Sequence, residues 1–378
     1  MNMRTQKHNA TLGFTLVELM VSMAVGLIVL AAMASLFKTG MNSTMLVTQR
    51  AETQQNMRAA IDLVAKDISM AGAGLPSGGI HLPNGAGSST SKFGCDQTGT
   101  CHVTNHSYPN NNYMYGIVPG FTNGVEGGAS IAAAPAPAVN DSITVVYADY
   151  NFPLWEYNMT FTSATSGANV TLAVAPTYTA NPPPGITCAG GIQVGDLIMV
   201  AGGGLTEVGE VTNLTSTATA ATCGNGTAVT GTMAFANGDA LNINQDGAAS
   251  GNLKAIASNL AGSPAVAYRI YVVTYYLTVP GANQTVRLMR QVNGQTPQPV
   301  ADDIINLQFA YDVYNSTTDA LDSNQANPLG AGESPNNIQK VNLLIMGQSI
   351  INNGNKSQNL YLATDVSARN MAFRNRYK

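Results

Sequence analysis

Charged residues are scarce in this chain, and it has no long basic run. Only 10% of its 378 residues are Asp, Glu, Lys or Arg, and the formal net charge is −4 at pH 7. Proteins that bind nucleic acid instead concentrate Lys and Arg on one face or in one segment. The composition therefore argues against a nucleic-acid partner and predicts an exposed surface made largely of neutral polar side chains.

The common catalytic patterns are missing as well. The chain contains no Gly-x-Ser-x-Gly, no His-Glu-x-x-His and no Walker motif, so the sequence predicts neither an enzyme nor a cofactor. Residues 72–78 miss the dinucleotide-binding spacing and follow a predicted helix, which favours a helix terminator. The pair Asp302–Asp303 has two interpretations, a cation site or a turn before an apolar strand, and the turn is the commoner one.

One long apolar run stands near the amino terminus. It covers residues 14–37, and its single charged side chain is Glu18. As an α-helix rising about 1.5 Å per residue, this run would extend roughly 35 Å, enough for the hydrocarbon core of a bilayer. A carboxylate in lipid is costly unless it is paired. We therefore predict a transmembrane helix in which Glu18 has a cationic partner.

A short leader with Arg4 and Lys7 precedes this run, and Gly13 stands directly before Phe14. In an ordinary secretory signal the cleavage site follows the apolar region. Cleavage between Gly13 and Phe14 would instead keep the helix and create an α-amino group one turn from Glu18. The partner of Glu18 would then be its own ammonium or that of a neighbouring subunit. The alternative is a plain signal anchor whose glutamate lies near the lipid headgroups.

The helical pattern continues beyond the membrane segment. Apolar residues recur at spacings of three and four, with charged residues on other faces, until glycines and a proline end the pattern at residues 72–76. The apolar face consists of Met57, Ile61, Val64, Ile68 and Ala71. The charged residues assigned to other faces are Arg58, Asp62, Lys66 and Asp67. The sequence thus predicts one helix from Phe14 to about Ala71.

Runs of β-branched and aromatic residues, bounded by Gly, Pro and Asn, occupy the rest of the chain. The predicted strands are residues 142–147, 169–174, 196–200, 268–277, 285–290, 304–311 and 341–346. Two of them flank residues 280–283 and are expected to form a hairpin. The segments without periodicity, expected to be surface insertions, are residues 75–139, 175–195 and 213–263. The predicted fold class is α+β, with a long amino-terminal helix packed on an antiparallel sheet.

The residues Gly13-Phe-Thr-Leu-Val-Glu18, between a basic leader and an apolar helix, resemble the amino-terminal signal of type IV pilins and type II secretion pseudopilins. The resemblance implies that a prepilin peptidase cuts between Gly13 and Phe14, that Phe14 becomes N-methylated, and that Glu18 guides subunit docking. It also implies a domain layout. The leader is 1–13, the transmembrane and filament-core half of the helix 14–37, its extracytoplasmic half 38–74, and the β-rich head 75–378.

Within that superfamily, residues 49–72, 302–311 and 366–376 resemble PilW-type minor pilins. This implies a subunit held in the inner membrane by one helix, and later placed on the pilus at the cell surface, that primes assembly or sits at the tip. The implied partners are other minor pilins, the major pilin, the prepilin peptidase and the inner-membrane assembly platform. Two alternatives stay open: a J-type minor pseudopilin of a type II secretion system, and a tip adhesin with binding loops in the insertions.

Four cysteines lie in the predicted head. An even number in an extracytoplasmic domain indicates disulfides, and three pairings are possible. The pairs Cys95 with Cys101 and Cys188 with Cys223 are favoured, because each closes a local loop. The alternative is a metal site formed by Cys95, Cys101, His102 and His106. That spacing matches no common zinc pattern, so no metal is predicted.

Overall fold

The computed structural model describes residues 13–109, 113–129, 131, 139–163, 170–177, 185–188, 190–218, 223, 229–260, 265–279, 285–349 and 358–372. The predictions made for Arg4, Lys7 and the 280–283 loop fall outside these residues. The chain divides into two compact units. The anchor unit comprises Met1–Glu52 and Ile350–Lys356, and the head unit comprises Thr53–Ser349 and Ser357–Lys378.

The first element is one long helix, α1, spanning Leu16–Met70. The prediction of a helix from Phe14 to about Ala71 is confirmed to within two residues at each end. The helix ends where Gly72 and Gly74 adopt positive φ values of 75° and 70°, a left-handed conformation that glycine reaches without steric cost. Pro76 follows, in a position where it cannot extend the helix.

Within the head unit, α1 buries the apolar face that the sequence predicts. Met57, Ile61, Val64 and Ile68 are each no more than 6% exposed. The assignment of Asp67 to a face apart from the buried one is wrong, because this residue is only 3% exposed. Its carboxylate is buried together with partners from the sheet, which the helical spacing alone does not reveal.

Two short α-helices, three sheets and three 3-10 helices, Glu126–Gly128, Leu154–Glu156 and Pro335–Asn337, complete the described part of the chain. The α-helices are α2 (Leu253–Asn259) and α3 (Arg369–Ala372). The strands of the largest sheet are β1 (Ile80–His81), β2 (Tyr113–Met114), β3 (Ile117–Gly120), β4 (Ser142–Asp149), β7 (Leu197–Gly202), β8 (Leu205–Glu210), β11 (Val266–Thr278), β12 (Arg287–Val292) and β13 (Gln298–Asp302). The second sheet contains β5 (Tyr157–Ser163), β6 (Val170–Pro176), β9 (Asn213–Ser216) and β10 (Gly231–Phe235). The third contains β14 (Ile304–Asn315), β15 (Ala320–Gln325), β16 (Ile338–Ser349) and β17 (Gln358–Ser367).

Pairing between these strands is antiparallel, apart from a single parallel contact of β1 with β8 at His81 and Glu207. In the largest sheet the strand order is β13-β12-β11-β7-β8-β1-β2, and β4 pairs with both β11 and β3. The long strand β11 pairs with β7 through its first half, with β12 through its second half, and with β4 along its other edge. This central position lets β11 supply side chains to several sites in the head.

Every strand predicted from the sequence has a counterpart, and β11 and β12 form the expected hairpin pair. Two expectations are wrong. Among the described residues the head has three sheets where one was expected, and residues 75–139, 175–195 and 213–263 are more than surface insertions. They contribute fully buried side chains, among them Ile80, Leu82 and Ile256. Ile80 and Leu82 stand alone among Gly, His, Pro and Asn and carry no helical period, whereas Leu253, Ile256 and Leu260 recur at helical spacing through α2 and its C-cap, a short signal that the sequence prediction missed.

Three apolar clusters fill the head. One joins α1 to residues of β4, β11, β14 and β16, including Tyr275 and Phe309. A second lies on the other side of β11 and includes Tyr276. The third packs β5, β6 and β10 with α2. Because adjacent residues of a strand point to opposite faces, Tyr275 packs in the first cluster and Tyr276 in the second, so β11 contributes to both.

Candidate functional site

The start of α1 is closed by hydrogen bonds between Thr15 and Glu18. The backbone N–H of Glu18 donates to Oγ1 of Thr15 over 3.3 Å, and the backbone N–H of Thr15 donates to Oε2 of Glu18 over 3.0 Å. The Thr15 hydroxyl also donates to Oε2, again over 3.0 Å. This capping box satisfies two backbone N–H groups that a helix start otherwise leaves without partners.

Glu18 therefore has a partner within its own chain, where the sequence argument expected an ammonium group. The three hydrogen bonds involve Oε2 or the backbone, so Oε1 stays available for a donor from another molecule. A carboxylate in the first turn is also stabilised by the positive end of the helix dipole. The hydrogen bonds from Thr15 and the helix dipole thus hold the Glu18 carboxylate in place within the chain itself.

Gly13 and Phe14 precede the helix in exposed, non-helical backbone. A peptidase must bind its scissile bond in an extended form, which a helix would prevent. Nothing lies within 4 Å of a Cβ built on Gly13. The bond between these two residues is therefore exposed and lies outside the helix, and cleavage there stays a prediction.

The anchor unit presents an uncovered apolar surface. The exposed large apolar side chains of residues 14–47 have exposed fractions between 46% at Val29 and 86% at Phe14. An 18-residue window of α1 has a mean hydropathy of 2.4 and no buried residues. Within the described residues, α1 is the one helix long and apolar enough to cross a membrane. Exposed apolar area of this extent calls for lipid or other subunits to cover it.

In the head unit, Asp67 forms the main polar link between α1 and the sheet. Its Oδ2 accepts from the Tyr275 hydroxyl over 2.6 Å and from Nε of Arg290 over 2.9 Å. Its Oδ1 accepts from the Tyr147 hydroxyl over 3.2 Å. Burial and the nearby Asp67 charge raise the pKa of Tyr275 well above its usual range, so this hydroxyl keeps its proton and stays a donor.

A second buried network centres on Arg269 of β11. Its Nε donates to Oδ2 of Asp149 over 2.8 Å, and its Nη1 donates to the backbone oxygen of Gly191 over 2.8 Å. Burial acts to lower the pKa of this guanidinium, but the hydrogen bond to Asp149 and the nearby charges of Tyr271, Asp149 and Asp196 together outweigh it, and the pKa is raised. The network fixes the backbone just after Cys188, so its role is structural.

The cysteines are joined as Cys95–Cys101 and Cys188–Cys223, with sequence separations of 6 and 35. This is the pairing that local loop closure favours. His102 lies next to the first bridge but bonds elsewhere. Its Nδ1 is 2.5 Å from Oε1 of Glu126, and its Nε2 is 3.3 Å from Oδ2 of Asp96. The four-ligand metal site considered from the sequence is therefore not assembled.

Asp302 and Asp303 lie at a strand boundary. Asp303 has a positive φ of 62° between β13 and β14, and Asp302 pairs with Arg287 over 2.7 Å. The two carboxylates thus belong to a turn with a surface ion pair, which matches the turn interpretation.

Gly13, Phe14 and Glu18, the site residues predicted from the sequence, lie at the start of α1, and their roles stay predictions. The sequence prediction missed Thr15, which forms the capping hydrogen bonds with Glu18, although Thr-x-x-Glu before an apolar run is a known capping-box pattern. It also missed the cluster of Asp67, Tyr275 and Arg290. No sequence signal marks that cluster, because its members lie up to 223 residues apart.

A family model described as the prokaryotic N-terminal methylation motif matches residues 9–34. No curated protein and no solved structure matches the chain. The motif, together with the exposed apolar helix, indicates a prepilin of the type IV pilin or pseudopilin class. Such a motif implies membrane association and partners from a pilus or a secretion system.

Proposed function

We propose that this chain is a minor pilin of the type IV pilus, of the PilW type, that primes pilus assembly or occupies the tip with other minor pilins. The observation that carries the proposal is the capped amino-terminal helix. Glu18 is held at its start, and apolar residues 14–47 stand uncovered behind it. A carboxylate with one oxygen available can receive the terminal ammonium of an adjacent subunit as the apolar helices pack together.

The proposed layout follows the sequence. Residues 1–13 are removed as a leader, residues 14–37 anchor the chain in the inner membrane and then enter the filament core, residues 38–74 form the extracytoplasmic half of the helix, and residues 75–378 form the head. The partners in this scheme are the prepilin peptidase, the assembly platform, the major pilin and the other minor pilins. The role is one of assembly, with no catalysis assigned to the chain.

A tip position suits the head. A subunit repeated along a shaft must fit between neighbours on every side, whereas a terminal subunit has one side free. Three sheets and long irregular segments such as residues 82–109 give this head a bulk that a crowded shaft lattice would restrict. We therefore favour a low-abundance terminal subunit over a repeated one.

The test is deletion of the gene in its native host, followed by complementation with the intact chain. We expect few surface pili in the deletion strain, restored pili on complementation, and this chain in sheared pili at a small fraction of the major pilin. If pili are unaffected and secretion through an outer-membrane secretin fails, the chain is a J-type minor pseudopilin instead.

A second candidate function, ligand binding by the head, has one observation in its favour. Trp155 and Tyr150 are 38% and 54% exposed, and their rings lie 5.8 Å apart beside Tyr268. Exposed aromatic rings suit the apolar face of a sugar. Trp155 is the only tryptophan in the chain, so its fluorescence during titration with surface glycans reports this patch alone. An unchanged spectrum across the set counts against an adhesin role.

A further inference from the structure

The Cys95–Cys101 bridge lies on a ribbon whose shape does not depend on the bridge. Between the two cysteines, the backbone N–H of Asp96 donates to the oxygen of Thr100 over 2.8 Å. The Asp96 side chain accepts from the backbone N–H groups of Thr98 and Thr100 over 2.9 and 3.0 Å. These bonds form a tight turn that holds Cys95 opposite Cys101 whether or not their sulfurs are joined.

The same ribbon carries His106. The backbone oxygen of His106 accepts from the N–H of Phe93 over 2.9 Å, and Lys92 bridges to Ser107 as in a β-ladder. The preceding residue is fixed as well, because the N–H of Asn105 donates to the Asn123 side chain over 2.6 Å. His106 is therefore held beside the disulfide by its backbone.

The His106 ring has an unusual environment. A ring nitrogen and both Sγ atoms all lie within 4.8 Å of one another, and Nδ1 is buried with no hydrogen-bond partner among the described residues. A buried polar atom in this state carries a desolvation cost. A disulfide offers it no proton, whereas a thiol can donate one and a metal ion can accept its lone pair. Opening the bridge would supply such a partner to the ring nitrogen that lies near the two sulfurs.

We propose that Cys95, Cys101 and His106 form a Zn²⁺ site when the Cys95–Cys101 bridge is reduced. Two thiolates and one imidazole are a donor set that zinc accepts, and in a tetrahedral site with Zn–S of about 2.3 Å the donor atoms stand roughly 3.5 Å apart. Opening the bridge lets the bonded sulfurs separate toward that spacing while the turn keeps the backbone in place. The fourth position is left to water. His102 is excluded from the site because Glu126 and Asp96 hold both of its nitrogens.

A dithiol can reduce the Cys95–Cys101 bridge by thiol–disulfide exchange. Its first thiolate attacks Sγ of Cys101, which is more exposed than the fully buried Cys95, and Cys95 leaves as a thiolate. The second thiol of the reductant then displaces Cys101, so the reductant leaves as its own disulfide. Two electrons and two protons pass from the dithiol to the cysteine pair. Zn²⁺ binding then releases the two thiol protons, while His106 binds as neutral imidazole.

The experiment uses the full chain in detergent, with Zn²⁺ alone as the probe and a chromophoric chelator as competitor. Four proteins are compared before and after anaerobic reduction: the parental chain, Cys95→Ala/Cys101→Ala, His106→Ala and the control His81→Ala, in which a histidine elsewhere in the head is removed. We expect the reduced parental chain and reduced His81→Ala each to bind one Zn²⁺ ion per chain tightly. The oxidised parental chain should show no tight Zn²⁺ binding. His106→Ala should bind at least roughly tenfold more weakly, because even groups outside the ligand set change metal affinity by about 10–100-fold.

Co²⁺ in place of Zn²⁺ supplies a second readout, because thiolate-to-cobalt charge-transfer absorption reports sulfur ligation directly. Equal zinc affinity in the reduced parent and in Cys95→Ala/Cys101→Ala would overturn the proposal, as would equal affinity in the parent and His106→Ala. His106→Ala retains the disulfide, so its fold can be verified by circular dichroism before reduction. The His106→Ala variant therefore tests the proposal even if the double cysteine variant fails to fold.

Discussion

The hydroxyl of Tyr275 in β11 donates a 2.6 Å hydrogen bond to Oδ2 of Asp67 in α1, across 208 residues of sequence. The same carboxylate oxygen accepts from Arg290 of β12. One buried side chain on the helix thus joins two neighbouring strands of the largest sheet. Within the head unit, α1 is therefore fixed to the sheet by a specific polar contact as well as by apolar packing.

Asp67→Asn should destabilise the head by roughly 3 kcal/mol, the lower end of the cost of breaking a buried ion pair, because Arg290 keeps partial access to water. The asparagine preserves size and removes the charge. Denaturant unfolding of the full chain in detergent measures the change. Asp62→Asn, at an exposed position on the same helix, is the control and should cost little. Equal stability of the two variants would contradict a structural role for the Asp67 cluster.

Cleavage should occur between Gly13 and Phe14, and the mature chain should begin with Phe14 carrying a methylated amino group. Amino-terminal mass analysis of the protein purified from its native host decides this. Gly13→Val should block processing, since the peptidase requires a small residue there. Gly40→Val is the matched control, because a Cβ at Gly40 meets nothing within 4 Å. Retention of Met1, or a cut near Ala34, would refute the prepilin assignment.

Glu18→Leu should leave membrane insertion intact and reduce incorporation into pili. The substitution makes the helix more apolar, but a neighbouring ammonium loses its partner in a low-dielectric setting, at about 3–5 kcal/mol. Sheared pili and inner-membrane fractions are compared by immunoblot, with surface pili counted in parallel.

Two further variants separate docking from capping. Glu18→Gln keeps an oxygen for the capping box but lacks the charge, so it should assemble as poorly as Glu18→Leu. Thr15→Val removes the capping side chain and keeps the charge, so it should assemble better than either. Parental incorporation of Glu18→Leu would show that Glu18 has no docking role.

Loss of the Cys188–Cys223 bridge should destabilise the head more than loss of Cys95–Cys101. In the chain-entropy treatment, closing a loop with a separation of 35 contributes roughly 3–4 kcal/mol, and the separation of 6 contributes roughly 2 kcal/mol. Thermal unfolding of the two double-alanine variants gives the comparison. Non-reducing peptide mapping verifies the pairing, and free thiols at Cys188 and Cys223 in the native protein would disprove it.

The head should lose stability as pH rises from about 5 to about 8. Burial raises the pKa of Glu207 to about 8 from an ordinary value of 4.5, so the folded state holds a proton that the unfolded chain has already released, and a higher pH favours unfolding. Burial and the neighbouring Asp239 also raise the pKa of Glu210, which acts in the same direction. Glu207→Gln should flatten this pH dependence, while the exposed control Glu52→Gln should not. A head equally stable at both pH values would contradict the prediction.

The anchor could be read almost entirely from the sequence. Its helix and the motif at the helix start depend on neighbours along the chain, and spacings of one to four residues along a helix are fixed by backbone geometry. The capping box was readable for the same reason, since Thr15 and Glu18 are three residues apart. Cleavage after Gly13 and docking through Glu18 stay predictions.

The strands were also predictable where β-branched residues cluster, as in β4, β11 and β16. Their division among three sheets was not, because strand pairing is a long-range choice that local patterns leave open. Residues 75–139 show the limit most clearly. Isolated apolar residues such as Ile80 and Leu82 carry no period, yet they are fully buried.

What the sequence by itself determined, then, is the amino-terminal signal, the membrane-length helix and most strand positions, because each depends on residues adjacent in the chain. Only the tertiary structure decided that Asp67 is buried, that His102 bonds to two carboxylates, and that His106 faces the Cys95–Cys101 bridge. These contacts join residues brought together by packing. Their energies depend on burial and on distances in space, and the linear order of side chains specifies neither.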